Sequence, residues 1–108
     1  MKASYWQRGE ALDYLNETEE KIEAGTVLTI GKRIGIAGMD INPGEVGSVH
    51  VSGVFEFDKA DSAEITMGTE VSFSETGIST STDGGAVAGY AAADSPADST
   101  KVYVKING

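Results

Sequence analysis

Apolar and polar residues alternate along much of the chain, most clearly over residues 41–57, Ile-Asn-Pro-Gly-Glu-Val-Gly-Ser-Val-His-Val-Ser-Gly-Val-Phe-Glu-Phe. Pro43 presets φ for the second position of a β-turn and Gly44 tolerates the positive φ of the third, so residues 42–45 read as a reversal. Beyond it, Val49, Val51, Gly53, Phe55 and Phe57 share one side of a period-2 pleat, and Ser48, His50, Ser52, Val54 and Glu56 share the other. That pattern predicts one long, half-buried antiparallel strand whose Val and Phe face enters a core.

Shorter runs carry the same signal. Residues 11–15 place Leu12 and Tyr14 opposite Asp13, and residues 27–30 and 34–37 flank Gly31-Lys32-Arg33 as the arms of a hairpin. Gly35 and Gly38 there imply a bulge or a close approach. Residues 59–64 are a polar connection with room for one helical turn. Val71 and Phe73 mark a further strand, Gly77 turns the chain into residues 78–81, and Thr82-Asp83-Gly84-Gly85 reads as a loop. Residues 86–93 are small and apolar; Gly84, Gly85 and Gly89 disfavour a helix, so a strand is expected. Over residues 100–107, Val102, Val104 and Ile106 alternate with Tyr103 and Lys105, predicting an amphipathic strand that closes the sheet.

One device recurs. Ile-x-x-Gly followed closely by Val occurs at Ile22, Gly25 and Val27, at Ile41, Gly44 and Val46, and at Ile65, Gly68 and Val71. Each copy reads as an apolar anchor, a turn closed by a positive-φ glycine, and a new strand. The structural turn residues are thus Gly25, Pro43, Gly44 and Gly68. The copies are unevenly spaced, so they read as recurring turn chemistry rather than a repeat array.

At 108 residues the chain is expected to form one domain with a single core. The expected fold is all-β: a small single-domain antiparallel β-barrel or β-sandwich at residues 11–108, preceded by an extended N-terminal arm at residues 1–10. In that arm Tyr5 and Trp6 are either pinned onto the domain's own core or held for a partner, and the cost of leaving rings in water favours the first. The chain has no cysteine, which excludes disulfides and thiolate metal sites. A basic, apolar leader and a run of about 18 apolar residues are both missing, so neither a signal peptide nor a membrane helix is expected. Seventeen acidic against eight basic residues, net charge -9, argue against nucleic acid as the ligand. Lys2 and Arg8 make the leading segment mildly basic, while Glu17, Glu19, Glu20 and Glu23 read as a solvated face.

Candidate chemistry is sparse. The stretch from Gly25 to Arg33 misses a phosphate-binding P-loop, with five residues between glycines and Arg33 after Lys32. His50 is the one histidine, which rules out a multi-histidine site, and its place among serines reads as exposed. Asp94 and Asp98 flank a polar turn more readily than they share a calcium ion. No catalytic residue, metal or cofactor is assigned, and an enzyme is not expected.

The residues Ala24-Gly25-x-Val27, Gly35-Ile36-Ala37, Asp40-Ile41, Pro43-Gly44-Glu45-x-Gly47, Val51-x-Gly53-Val54-Phe55-Glu56 and Lys59, in that order, resemble the small capsid cement or decoration proteins of tailed bacteriophages and prophages. The resemblance runs from Gly9-Glu10-Ala11-Leu12-Asp13-Tyr14 to the closing strand. Members of that family have also been labelled phage-associated recombinases, a label the missing P-loop argues against. The resemblance implies a structural β-domain on the outside of the capsid shell. There it would contact the major capsid protein and reinforce capsomer contacts, commonly as a homotrimer at threefold sites, in the virion after a stage in the host cytoplasm. No nucleic acid or membrane partner is implied. An arm carrying Lys2, Tyr5, Trp6 and Arg8 is the expected capsid contact, by strand addition with aromatic anchors. The competing reading is a stand-alone ligand- or carbohydrate-binding β-domain using Tyr5, Trp6, Tyr14, Tyr90 and Tyr103 as a platform.

Overall fold

In the computed structural model, residues 1–81 and 85–108 are described; the loop read at Thr82-Asp83-Gly84 lies outside the described residues. Among the described residues there are nine strands and no helix: β1 (Ala11–Leu15), β2 (Val27–Ile30), β3 (Arg33–Ala37), β4 (Val46–His50), β5 (Val54–Asp58), β6 (Glu70–Ser74), β7 (Gly77–Ser79), β8 (Ala86–Ala91) and β9 (Lys101–Ile106). They form two antiparallel sheets, ordered β1-β4-β3-β2 and β5-β9-β8-β6-β7, stacked as a sandwich rather than closed as a barrel.

Three expectations are corrected. Residues 41–57 do not form one strand: β4 ends at His50 and β5 begins at Val54 in the other sheet. Gly53 makes the break with φ +118, a conformation that glycine alone adopts freely. The period survives the crossing, so Val49 and Phe57 both stay buried, in different apolar clusters. β9 is not the closing strand but lies between β5 and β8, because its two edges satisfy both neighbours. Residues 59–64 hold bends instead of a helical turn; Lys59 is tied to Thr100 and forms a bridge with Ile78.

The Ile-x-x-Gly turns carry more than local chemistry. Ile22 and Ile41 exchange both backbone hydrogen bonds, as do Ile65 and Ser95. One residue after each of these four a turn begins, closed by Thr26, Glu45, Thr69 and Ser99 N–H donating to Glu23, Asn42, Thr66 and Pro96 carbonyls at 2.9–3.1 Å. Gly25 and Gly68 donate to Ala37 and Ala91, whose own N–H groups donate back to Thr26 and Thr69. Asp40 Oδ1 accepts from Ala24 N–H at 2.8 Å, and Asp94 Oδ1 from Met67 N–H at 2.7 Å. The chain is therefore one β-unit used twice. The first unit is β1 to β4; the second is β5, β6, β8 and β9, with β7 inserted. Both have the Greek-key order of a three-strand meander with the leading strand beside the last. The sequence does hold the signal, as Ile22-x-x-Gly-Thr with Gly35-x-Ala-x-x-Asp40, then Ile65-x-x-Gly-Thr with Gly89-x-Ala-x-x-Asp94.

Packing follows from how the units stack. The second unit turns Phe57, Val71, Val102, Val104 and Ile106 inward, and Ile34, Ile36 and Val27 from one face of β3 and β2 cover them. The other face of β3 carries Ala37 into a second cluster with Ile22, Ile41 and Val49, flanked by Tyr14, Leu28 and Ile30. β3 is thus buried on both sides, which is why Ile34-Gly35-Ile36-Ala37 shows no polar alternation. Gly35 is small for a reason: a Cβ there would lie 2.4 Å from Val49 Cγ1 and 2.8 Å from Ile30 Cδ1.

Asn107 fastens the units together. At φ +56, a region Asn tolerates better than most residues, its Nδ2 donates to the Ile34 carbonyl at 2.8 Å and the Val51 carbonyl at 2.9 Å, and its Oδ1 accepts from Ile34 N–H at 3.3 Å. Asn107→Ala strands those groups and is expected to lower stability by roughly 2–3 kcal/mol. A urea titration measures it, and Asn107→Gly, which keeps the φ and loses the bonds, should fall nearly as far.

Candidate functional site

Charge and apolar character are unevenly placed over this scaffold. Residues 1–10 precede β1 and are exposed throughout, with Tyr5 and Trp6 at 84% and 85% of full exposure. The rings are thus not pinned onto the core, correcting the favoured expectation: among the described residues β1 pairs with β4 alone, and every residue of the arm stays exposed. Lys2 lies in the same exposed segment, and Arg8 Nη2 pairs with Glu10 Oε1 at 3.1 Å in full solvent. The arm leaves the sheet beside β4, where Val51 N–H donates to the Glu10 carbonyl at 3.0 Å. Among the described residues β1 pairs only with β4, so its outer edge has no strand beside it.

The turn residues sit elsewhere. Gly25, Gly44 and Gly68 have φ of 88°, 81° and 90°, and Pro43 precedes the second of them. They begin β2, β4 and β6 and are part of the scaffold. The glutamates at 17, 19, 20 and 23 project from the loop between β1 and β2, which Asn16 holds from beneath.

The five rings of the carbohydrate reading do not share a surface. Tyr5 and Trp6 are on the arm, Tyr14 packs against the second cluster, and Tyr90 and Tyr103 stand on the outer face of the five-stranded sheet. On that face Tyr103 donates its hydroxyl to Glu56 Oε2 at 2.9 Å, and this bond, with the carboxylate's charge behind it, raises the phenol above its ordinary range. Lys101 is raised likewise, first by its hydrogen bond to Asp58 and then by that residue's charge. These are cross-strand pairs in register, worth little in open solvent.

Among the described residues no arrangement of acid, base and nucleophile emerges. His50 lies over Gly38 with its ring 6.1 Å from Phe55. Asp94 is engaged in capping Met67, and the Gly25 to Arg33 stretch is a turn, a strand and a hairpin tip. Among the described residues no group of three or more His, Cys, Asp or Glu side chains could hold a metal. A groove of about 470 Å³ is open and lined by Thr29, Phe73, Ser74, Glu75, Thr76, Gly85 and Ala86, with one ionisable group.

Apolar side chains on the wet faces escaped the sequence reading. Leu15 and Val46 lie opposite each other on β1 and β4, 46% and 59% exposed. The available signal was parity, since Val46 falls in step with Ser48 and His50.

A family model described as phage cement protein matches residues 6–106, nearly the whole chain. No curated protein and no solved structure shows a match. The match covers both β-units and starts within the arm, and its members are structural proteins of phages. With an all-β scaffold whose distinctive features are exposed apolar and charged surfaces, the chain belongs to the phage cement protein family.

Proposed function

We propose that this protein binds the outer surface of a phage capsid shell and reinforces contacts between capsomers, using the arm as its hold on the major capsid protein and acting on the shell as a trimer. Its place is then the capsid exterior of the virion, reached after release into the host cytoplasm. The observation that carries this reading is the arm itself. Ten exposed residues carry two uncovered rings and two basic side chains into a strand with a free edge. Aromatic anchors and Arg dominate binding energy at protein interfaces, and an extended segment pairs with a sheet edge through backbone hydrogen bonds. The net charge of -9 opposes indiscriminate clumping before the protein reaches a shell.

Deleting residues 2–8 is expected to weaken binding to expanded shells of the cognate major capsid protein by at least about tenfold, with Tyr5→Ala/Trp6→Ala accounting for most of it. Co-sedimentation with purified shells measures this. Undiminished binding by the deletion variant would overturn the role of the arm.

A further inference from the structure

The duplication exposes an imbalance. In the second unit the apolar face of β5 and β9 is covered by the back of β2 and β3. In the first unit the equivalent face carries Leu12, Tyr14, Leu28 and Ile30. Among the described residues only Ile22 and Ile41 cover it from outside the sheet. A groove of about 310 Å³ is left at its end, lined by Leu12, Ile30, Arg33, Ile34, Val51 and Asn107. The opposite face is incomplete in the complementary way. Where β2 and β3 use it to cover the second unit, β4 and β1 extend it past the covered area, and the Leu15–Val46 pair stands there in solvent.

Charge divides along the same axis. At the Leu15–Val46 end are Glu45, Glu17, Glu19 and Glu20; at the groove end are Arg33 and, next to it in the β2–β3 turn, Lys32. Arg33 and Lys32 form no salt bridge with a described residue, and neither do those four glutamates. An apolar ledge with an acidic rim and an apolar groove with a basic rim thus sit at opposite ends of one sheet.

We infer that copies of this chain associate head to tail, the Leu15–Val46 ledge of one copy seated in the Leu12–Ile30–Val51 groove of the next. The contact repeats between copies the arrangement the two units already make within one chain, the back of one β-unit on the apolar face of another. Such a heterologous contact closes into a ring when its rotation permits. It rests on the trimeric reading above only for the number of copies.

Light scattering on the free chain from about 1 µM to 0.5 mM tests it. Self-association is expected, weakening as salt rises from about 0.05 to 0.5 M because the rims are screened. Val46→Gln and Leu12→Gln should each weaken it at least about tenfold, while Val54→Gln, an equally exposed apolar site on the other sheet, should leave it unchanged. An equimolar mixture of the two weakened variants is expected to form dimers and stop there, since each copy then offers one intact surface. If Leu12→Gln loses the wild-type circular dichroism spectrum, Arg33→Glu replaces it as the groove variant. A wild-type chain monomeric throughout, a mixture no larger than its components, or an equal loss with Val54→Gln would overturn the inference. No shell is present, so its failure leaves shell binding by the arm standing, and the reverse also holds.

Discussion

Gly89→Ala is expected to lower stability by roughly 4 kcal/mol or more, enough to unfold a chain of ordinary marginal stability. Gly89 has φ +140 at a bulge where the register of β6 on β8 shifts between Val71 and Ser72. A Cβ there would lie 2.0 Å from the Lys105 carbonyl oxygen and 3.0 Å from Asn107 N. Both obstacles are backbone, one in β9 and one in the residue that follows it, so nothing can turn aside. Gly35 holds the equivalent place in the first unit and supplies the control: its φ is ordinary and its obstacles are the side chains of Val49 and Ile30. Gly35→Ala should therefore cost only about 1–3 kcal/mol, the range of a tight core made tighter. Urea unfolding of the pair decides it, and equal losses would show that the bulge geometry is not what Gly89 protects.

Asn16→Asp should cost roughly 3 kcal/mol or more although it changes a single atom. Asn16 is fully buried and uses its whole side-chain capacity. Nδ2 donates to the Glu20 carbonyl at 2.8 Å and the Ile41 carbonyl at 2.9 Å; Oδ1 accepts from Thr18 N–H at 3.0 Å and Thr18 Oγ1 at 2.6 Å. A carboxylate turns one side of that set into oxygen facing two carbonyl oxygens, with a buried charge besides. The loss should shrink as pH falls, because protonation returns one donor. Chemical denaturation at several pH values checks both the size and the sign, and a pH-independent loss would refute the charge argument. Opening is expected first in the acidic loop, read as faster hydrogen exchange at Thr18.

Much of this was legible along the chain. Period-2 alternation located β4, β5, β6 and β9 because each has one apolar and one wet face, and the Ile-x-x-Gly turns marked strand starts because a positive φ there requires glycine. β3 is legible as a hairpin arm with β2, but not as a strand buried on both sides, since such a strand has no alternation to read. Trp6 departs from expectation for a related reason: composition says that a ring prefers a core, but not whether a core lies within reach. Asn107 carries no local pattern because its partners lie far off in sequence, Ile34 73 residues away; Asn16 bonds Thr18 and Glu20 close by, but its burial depends on Ile41, 25 residues on.

The sequence by itself determined the all-β class, the turns and the inward side of most strands, because these depend on φ preferences and on the side chains of a few successive residues. Only the tertiary structure decided which sheet each strand joins, that the chain crosses between sheets at Gly53, how the two β-units stack, and that a ledge and a groove are left uncovered. Those outcomes depend on which surfaces meet across long separations, where each contact weighs chain entropy against area buried, and no local periodicity records that balance.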